Sequence, residues 1–473
     1  MTGTSAPLWT ADEVAAATGG RTSARFGATG VSIDSRTLEA GDLFIAIRGP
    51  RADGHNHVRQ AFERGAAAAV VARVPEGCEA HALVLVADTQ GALEALAAAA
   101  RARTAAKVIA VTGSVGKTGT KEALRLALER QGKTAASAGS LNNLWGVPLS
   151  LARMPRDAAY GVFELGMNHP GELAPLSRLV SPHVAIITTV EAVHLEFFGQ
   201  LADIAEAKAE IFAGMRGGIA VLNRDNPFFP LLLDRARAAG IERVIGFGAH
   251  PEAEVRLISW KPSPGGSDVV ARVGARELDY RVGVPGRHWA LNSLAVLAAA
   301  LALGADVERA ATALAALAAL KGRGRRHRIR LKSGSCELID DSYNASPASM
   351  RAVFDVLAEA EPGKGGRRIA ALGDMLELGP EASPLHASLA EPIAAAGIDL
   401  VFTAGPLMAA LDRALPPALR GAHAESSEAL AKMLIAAVRP GDVIAVKGSL
   451  GSRMGKVVEA LLALDELPSA VNG

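Results

Sequence analysis

The run Thr112-Gly113-Ser114-Val115-Gly116-Lys117-Thr118 places two glycines, a lysine and a threonine at a spacing suited to holding phosphate. Glycines let a backbone wrap so that several N–H groups converge on an anion, and a helix beginning near Lys117 would add its dipole. Lys117 could neutralise the terminal phosphates, and the Thr118 hydroxyl could ligate Mg²⁺. The spacing is Gly-x-x-Gly-Lys-Thr, because Val111 stands where the longer Gly-x-x-x-x-Gly-Lys-Thr pattern has its first glycine. A plain strand-to-helix turn built of small residues is the competing explanation.

Three further residues could complete such a site. Glu164 ends the apolar run Gly161 to Leu165, where a carboxylate could ligate a hard cation. His194 follows the apolar run Val184 to Thr189 and could ligate a second ion, contact phosphate, or be an ordinary surface histidine. Lys208 falls on a helix expected over Leu201 to Met215, on the face shared by Leu201, Ile204, Ile211 and Met215. A buried ammonium is costly unless it is paired, deprotonated or converted, for example by CO₂ to a metal-bridging carbamate. The alternative is a side chain whose stem packs while its head reaches water.

These groups need strands to carry them. Val108 to Val111, Gly161 to Leu165, Val184 to Thr189 and Ile219 to Leu222 read as strands with helical patterns between most of them, which implies a parallel, doubly wound sheet with ligands at the strands' carboxyl ends. Ahead of them, short apolar runs from Val31 to Val86 and a helical stretch at Val58 to Gly65 fit a small α/β domain. Gly91 to Arg103 reads as an alanine-rich helix, as does Ala310 to Leu320. The basic run Lys321 to Lys332 follows, and then Glu337 to Asp340, Arg368 to Leu372, Leu400 to Ala404 and Val443 to Val446 resume the alternation.

At 473 residues the chain suits three domains at about 150 residues each. The expected boundaries are 1–87, 88–320 and 321–473. Acidic and basic residues nearly cancel, 49 against 50, so no global field attracts a polyanion. The run Gly322 to Arg330 lacks aromatics for base stacking, and a hinge or solvated strand edge explains it more simply than nucleic-acid binding. The two cysteines, Cys78 and Cys336, lie in no metal or disulfide pattern, which suits a reducing cytoplasm. No N-terminal secretion signal is visible, and no apolar run approaches the roughly 20 residues that span a bilayer.

Together the segments resemble the Mur ligase family. The resemblance rests on the short phosphate loop, Asp34-Ser35-Arg36, Ser140 to Pro148, Glu164 to His169, Ala207 to Phe212, Asp340 to Pro347 and Leu372 to Gly379, and spans nearly the whole chain. It implies a three-domain α/β architecture: a small N-terminal α/β domain for a UDP-sugar peptide, a central P-loop parallel-sheet ATPase domain, and a C-terminal Rossmann-like domain that brings the incoming amine. Within the family it points to the members that add D-alanyl-D-alanine to UDP-N-acetylmuramoyl-tripeptide, chiefly through Asp340 to Pro347.

The resemblance also implies ATP, two Mg²⁺ ions and a carbamylated Lys208, with Thr118, Glu164 and His194 near the metals and Lys117, His194 and Lys208 catalytic. Asn292 would meet the nucleotide, Asp341 its ribose and Arg323 its phosphates, while Ser35, Arg36, Asn142 and Asn143 would meet the UDP-sugar peptide. A monomer is expected. Two positions depart from the family: Trp289, at a usually polar place, and Leu450, where relatives often have arginine and for which Arg453 could substitute. The nearest rivals are the ligase adding the third stem residue and folylpolyglutamate synthetase. Against the first, Asp225-Asn226-Pro227 continues with Phe228 where that ligase has arginine. Against the second, about a hundred residues precede the loop.

Overall fold

The computed structural model describes residues 6–22, 24–50, 52–193 and 195–465. They form two compact units: Met1–Thr188 with Glu206–Phe247 and Ala295–Ala310, and Thr189–Ala205 with Gly248–Leu294 and Ala311–Gly473.

Among the described residues the first unit holds two larger sheets, beside the short antiparallel pair Trp9–Thr10 and Gly27–Ala28. In the N-terminal one, Gly30–Ser32, Asp42–Ile45, Ala68–Val71 and Leu83–Leu85 pair in parallel, and Arg21–Thr22 joins the far edge antiparallel. The second runs Arg243–Gly248, Ile219–Asn223, Val184–Ile187, Lys107–Thr112, Tyr160–Glu164, Thr134–Ala136, with every pairing parallel. Its first strand in sequence, Lys107–Thr112, sits between Tyr160–Glu164 and Val184–Ile187, so the chain winds out to either side of it. That is a topological switch point, and the crevice beyond its carboxyl end is where such sheets bind ligands. Central strands buried on both faces read as unbroken apolar runs, and Val108, Ile109, Ala110 and Val111 are all inaccessible to solvent.

The helix Thr89–Ala102 knits the two sheets together. Asp88 caps it by accepting from the Gln90 and Gly91 N–H groups. Its Leu93, Leu96 and Ala100 share one core with Val31, Leu43 and Val70 of the N-terminal sheet and with Leu149 and Ala152 of the helix Gly146–Ala152. The Thr89 hydroxyl donates to Ala46 O at 2.9 Å, and Arg101 reaches the carbonyls of Val180 and Ser181.

The second unit holds a six-stranded sheet in the order Arg325–Leu331, Gly334–Asp341, Val443–Lys447, Arg368–Gly373, Leu400–Ala404, Arg420–Ala424, parallel except for its first strand. The period-2 geometry of strands splits neighbouring residues between two cores: Ala370 and Leu372 face one, Ile369 and Ala371 the other. Most of the basic run that follows residue 320, Arg325–Leu331, is a solvated edge strand entered through a turn at 321–324. The same unit holds an antiparallel meander, Val255–Ser263, Gly266–Val273 and Arg276–Val282, which the parallel pattern did not anticipate.

Two expected helices are shorter than their apolar patterns. The α-helix Leu201–Ala209 gives way to a 3₁₀ turn at Glu210–Gly214. There Glu210 accepts from the Gly171, Leu173 and Ala174 N–H groups at the start of the helix Leu173–Val180. The Ser177 hydroxyl donates to Ile211 O and accepts from Gly214 N–H, which draws the turn tight. Leu201, expected on the apolar face, is 38% exposed. The second helix spans Val307–Ala313 and ends in a 3₁₀ turn at Leu314–Ala316. Its carbonyls turn outward, with Gly283 N–H donating to Leu314 O, and a Cβ on Gly283 would lie 2.4 Å from Leu317 O. Among the described residues no helix is long and apolar enough to cross a membrane.

Candidate functional site

The loop Thr112 to Thr118 emerges from the switch-point strand and enters the helix Lys117–Glu129, so strand, loop and helix stand in the order that phosphate binding requires. Gly116 caps that helix with φ +86°, and Gly113 has φ +148°. Only glycine adopts both without strain. A Cβ on Gly113 would also meet Thr188 Oγ1 at 1.8 Å. Thr188, at the end of Val184–Ile187, donates to Val115 O at 2.5 Å and so pins the loop from the neighbouring strand. Lys117 Nζ donates to Gly113 O at 2.6 Å. Thr118 is buried in the first helical turn, and Ser114 is buried in the loop. We expect Gly113→Ala, which imposes backbone strain of about 1–3 kcal/mol, to weaken ADP binding roughly tenfold by calorimetry.

Glu164 is 1% exposed at the end of Tyr160–Glu164, one strand over from the loop. Its Oε1 accepts from Asn142 Nδ2 at 2.7 Å, while Oε2 is buried without a hydrogen-bond partner. An orphaned carboxylate oxygen is costly, and a hard cation would satisfy it. Among the described residues no group of three His, Cys, Asp or Glu side chains could enclose a metal.

Lys208 is 2% exposed, so its head does not reach water. Burial, helped by the nearby Lys117 charge, pushes its ammonium well below the ordinary lysine range. Burial thus favours the neutral, nucleophilic amine over the cation. The unit thus gathers the phosphate loop, Glu164, Asn142 and Lys208. His194 lies outside the described residues.

In the second unit Asp341 ends Gly334–Asp341, and Lys447 ends the neighbouring Val443–Lys447. Lys447 Nζ donates to Asp341 Oδ2 at 2.6 Å and Asn344 O at 2.8 Å. Burial pushes the Asp341 carboxyl up against the opposing pull of Lys447 and Arg323. The Arg323 guanidinium stacks 4.3 Å over Tyr343. His288 is pushed down to about 4 by burial and by the Lys447 charge, which keeps its imidazole neutral. Asn292 lies half-buried on Arg287–Leu303. Lys447 was not anticipated as a site residue, although a lysine closing a fully apolar strand carries the same signal as Lys208.

The remaining expected contacts have partners of their own. The Ser35 hydroxyl donates to Gln60 at 2.7 Å, and Arg36, 81% exposed, pairs with Asp34. Asn143 Oδ1 accepts from Trp145 and Gly146 N–H at the start of Gly146–Ala152. Leu450 is 65% exposed, and Arg453 is paired with Glu428 at 3.0 Å.

Three family models match: the Mur ligase family catalytic domain over residues 28–104, the Mur ligase middle domain over 111–300, and the Mur ligase glutamate ligase domain over 324–450. The chain is 34% identical to the UDP-N-acetylmuramoyl-tripeptide–D-alanyl-D-alanine ligase of Rickettsia prowazekii, covering 96% of this chain and 99% of that one. To the Escherichia coli enzyme of the same name it is 37% identical, with 91% and 93% covered. Among solved structures it resembles MurF from Acinetobacter baumannii, with TM-score 0.83, 31% identity and 96% and 99% covered. It also resembles the Thermotoga maritima MurF ligase in complex with ADP, with TM-score 0.77, 27% identity and 92% and 97% covered.

Proposed function

The chain belongs to the Mur ligase family, and from that premise we infer that it joins D-alanyl-D-alanine to UDP-N-acetylmuramoyl-tripeptide using ATP. The product is the pentapeptide precursor of peptidoglycan, released with ADP and phosphate. The observation that carries the chemistry is that one unit holds a phosphate loop, a carboxylate with an orphaned oxygen one strand over, and a buried lysine that feels the Lys117 charge.

A carboxylate does not condense with an amine at neutral pH, because its oxygen is a poor leaving group. The tripeptide carboxylate therefore attacks the γ-phosphorus of ATP, forming an acyl phosphate and expelling ADP. The amine of D-alanyl-D-alanine then attacks the acyl carbon, and the tetrahedral anion collapses to the amide and inorganic phosphate. Phosphoryl transfer depends on positioning and charge. The N–H groups of Gly113 to Lys117 hold the phosphate oxygens, and the Lys117 ammonium offsets their charge. Thr118 and Glu164 would hold one Mg²⁺ ion, and His194 with a carbamylated Lys208 a second. Bound there, Mg²⁺ supplies Lewis-acid stabilisation of phosphate charge. The Lys208 amine, whose neutral form burial favours, would attack CO₂ to give a carbamate anion with loss of one proton.

In the second unit Asp341 would meet the ribose, Arg323 the phosphates and Asn292 the nucleotide; the pairing of Asp341 with Lys447 supports a preformed polar edge there. Ser35, Arg36, Asn142 and Asn143 would contact the UDP-sugar peptide. The proposed working domains are 1–87 for that substrate, 88–320 for ATP and 321–473 for the incoming dipeptide. The protein would act as a monomer in the cytoplasm, where its two buried free thiols stay reduced. The test is phosphate release from ATP with each substrate alone and with both. Release that rises only with UDP-tripeptide and D-alanyl-D-alanine together is expected; release indifferent to the pair would refute the assignment.

A further inference from the structure

The phosphate-loop helix carries a second lysine, one turn past Lys117, that the chemistry above does not use. Lys121 is completely buried. Its ammonium donates to Ser137 O at 2.7 Å and Gly139 O at 2.9 Å and pairs with Glu122 Oε1 at 2.6 Å. Those acceptors exhaust the donors of an ammonium. A buried ion pair is weak evidence for stability, since an apolar side chain of similar volume serves packing as well or better. The charge therefore calls for a reason beyond filling space, and the segment it grips supplies one.

Ser137 and Gly139 lie between the strand Thr134–Ala136 and Asn142. This short segment holds Glu164 twice. The Ser137 hydroxyl accepts from Glu164 N–H at 3.3 Å, and the Asn142 amide donates to Glu164 Oε1 at 2.7 Å. Asn142 O also accepts from Gly166 N–H at 2.8 Å, so the segment is fastened on both sides of the carboxylate. A continuous chain of contacts thus runs from the phosphate-loop helix through Lys121 to the two Ser137–Gly139 carbonyls, then to Asn142 and the Glu164 head. Helix and carboxylate belong to different βα units, and Lys121 joins them by side chain.

We propose that Lys121 is a positioning residue that ties the 137–142 segment to the phosphate-loop helix, and so fixes the Glu164 carboxylate where it takes the divalent cation accompanying the nucleotide. The proposal rests on Glu164 as a metal-holding residue. It acts without contact to nucleotide or metal. Groups of this kind, which orient a ligand, typically cost about 10–100-fold in metal affinity when removed.

The test uses the full chain with ADP and Mn²⁺ as the spectroscopic probe. Mn²⁺ affinity is read by electron paramagnetic resonance, and backbone order by hydrogen exchange, for Lys121→Met, Asn142→Ala, Glu164→Gln and the double variant Lys121→Met/Asn142→Ala. Lys121→Met should weaken Mn²⁺ binding about tenfold and speed exchange across residues 137–142. Because Lys121 acts through the segment that carries Asn142, the double variant should be no weaker than the worse single one within about twofold. Wild-type Mn²⁺ affinity in folded Lys121→Met, or losses that multiply in the double variant, would overturn the positioning role. If Glu164→Gln itself binds Mn²⁺ normally, the metal assignment fails and this proposal with it. If the methionine variant does not fold, Lys121→Leu, which also removes the donors to Ser137 O and Gly139 O, is read against the same outcomes.

Discussion

Lys208→Met should lower kcat on the order of 10³-fold, the upper range for removing one preorganised charge from a reacting site, while leaving the fold intact. Methionine keeps the volume and the apolar stem that the helix Leu201–Ala209 buries, so the loss would report chemistry and not packing. Wild-type protein given ¹³C-bicarbonate should show a carbamate carbonyl resonance that the variant lacks. The pH dependence follows from the depressed lysine pKa. Burial favours the neutral amine that CO₂ attacks, and carbamylation releases a proton, so the resonance and the activity should fade together as pH falls and return with added bicarbonate. A folded Lys208→Met chain with kcat within about threefold of wild type would remove the carbamate from the account.

Lys117→Met carries the second large effect, a kcat loss of about 10³-fold, at the lower end of what one cation acting on a transferring phosphoryl group supplies. Two consequences follow from its contacts. Its Nζ donates to Gly113 O, so the loop should loosen and ADP affinity fall. Its charge is also the second cause, after burial, of the depressed Lys208 pKa, so Lys208 should become easier to protonate and the bicarbonate requirement should rise. KM for UDP-tripeptide should not change. A variant with normal kcat and raised KM for every substrate would mean that Lys117 serves loop structure alone.

The parts of the site that were legible in sequence are those written in local periodicity. A strand, two glycines and a lysine opening a helix specify a phosphate loop whatever surrounds them, and Gly113 and Gly116 have the backbone angles that the pattern demands. Lys208 was legible because a helical face containing Ile204 and Ile211 must turn inward, and its 2% exposure excludes a head reaching water. The same argument applied to Lys121, Leu124 and Leu128 would have found the second buried lysine, since the three recur at helical spacing on a buried face.

What stayed hidden was set by tertiary contact. Nothing local to Asn142 shows that its amide holds Glu164, because the two meet only when their segments become neighbours in the sheet. The helices expected over Leu201 to Met215 and Ala310 to Leu320 have apolar faces that would continue. They stop because Glu210 and Ser177 draw one turn onto another helix, and because Gly283 draws out the Leu314 carbonyl. The meander from Val255 to Val282 was legible in principle through its alternation and its Gly265 and Gly274 turns, but a pattern of parallel strands and helices gave no place for it. Helix propensity yields to such contacts wherever they bury more than the next turn would.

Oxygen transfer tests the central claim most directly. If the tripeptide carboxylate is activated at the Thr112 to Thr118 loop, UDP-tripeptide labelled with ¹⁸O in its reacting carboxylate must pass one labelled oxygen to the phosphate released on ligation. One ¹⁸O per inorganic phosphate, seen by mass spectrometry or ³¹P resonance shift, is the predicted result. Unlabelled phosphate formed together with the amide product would contradict an acyl phosphate.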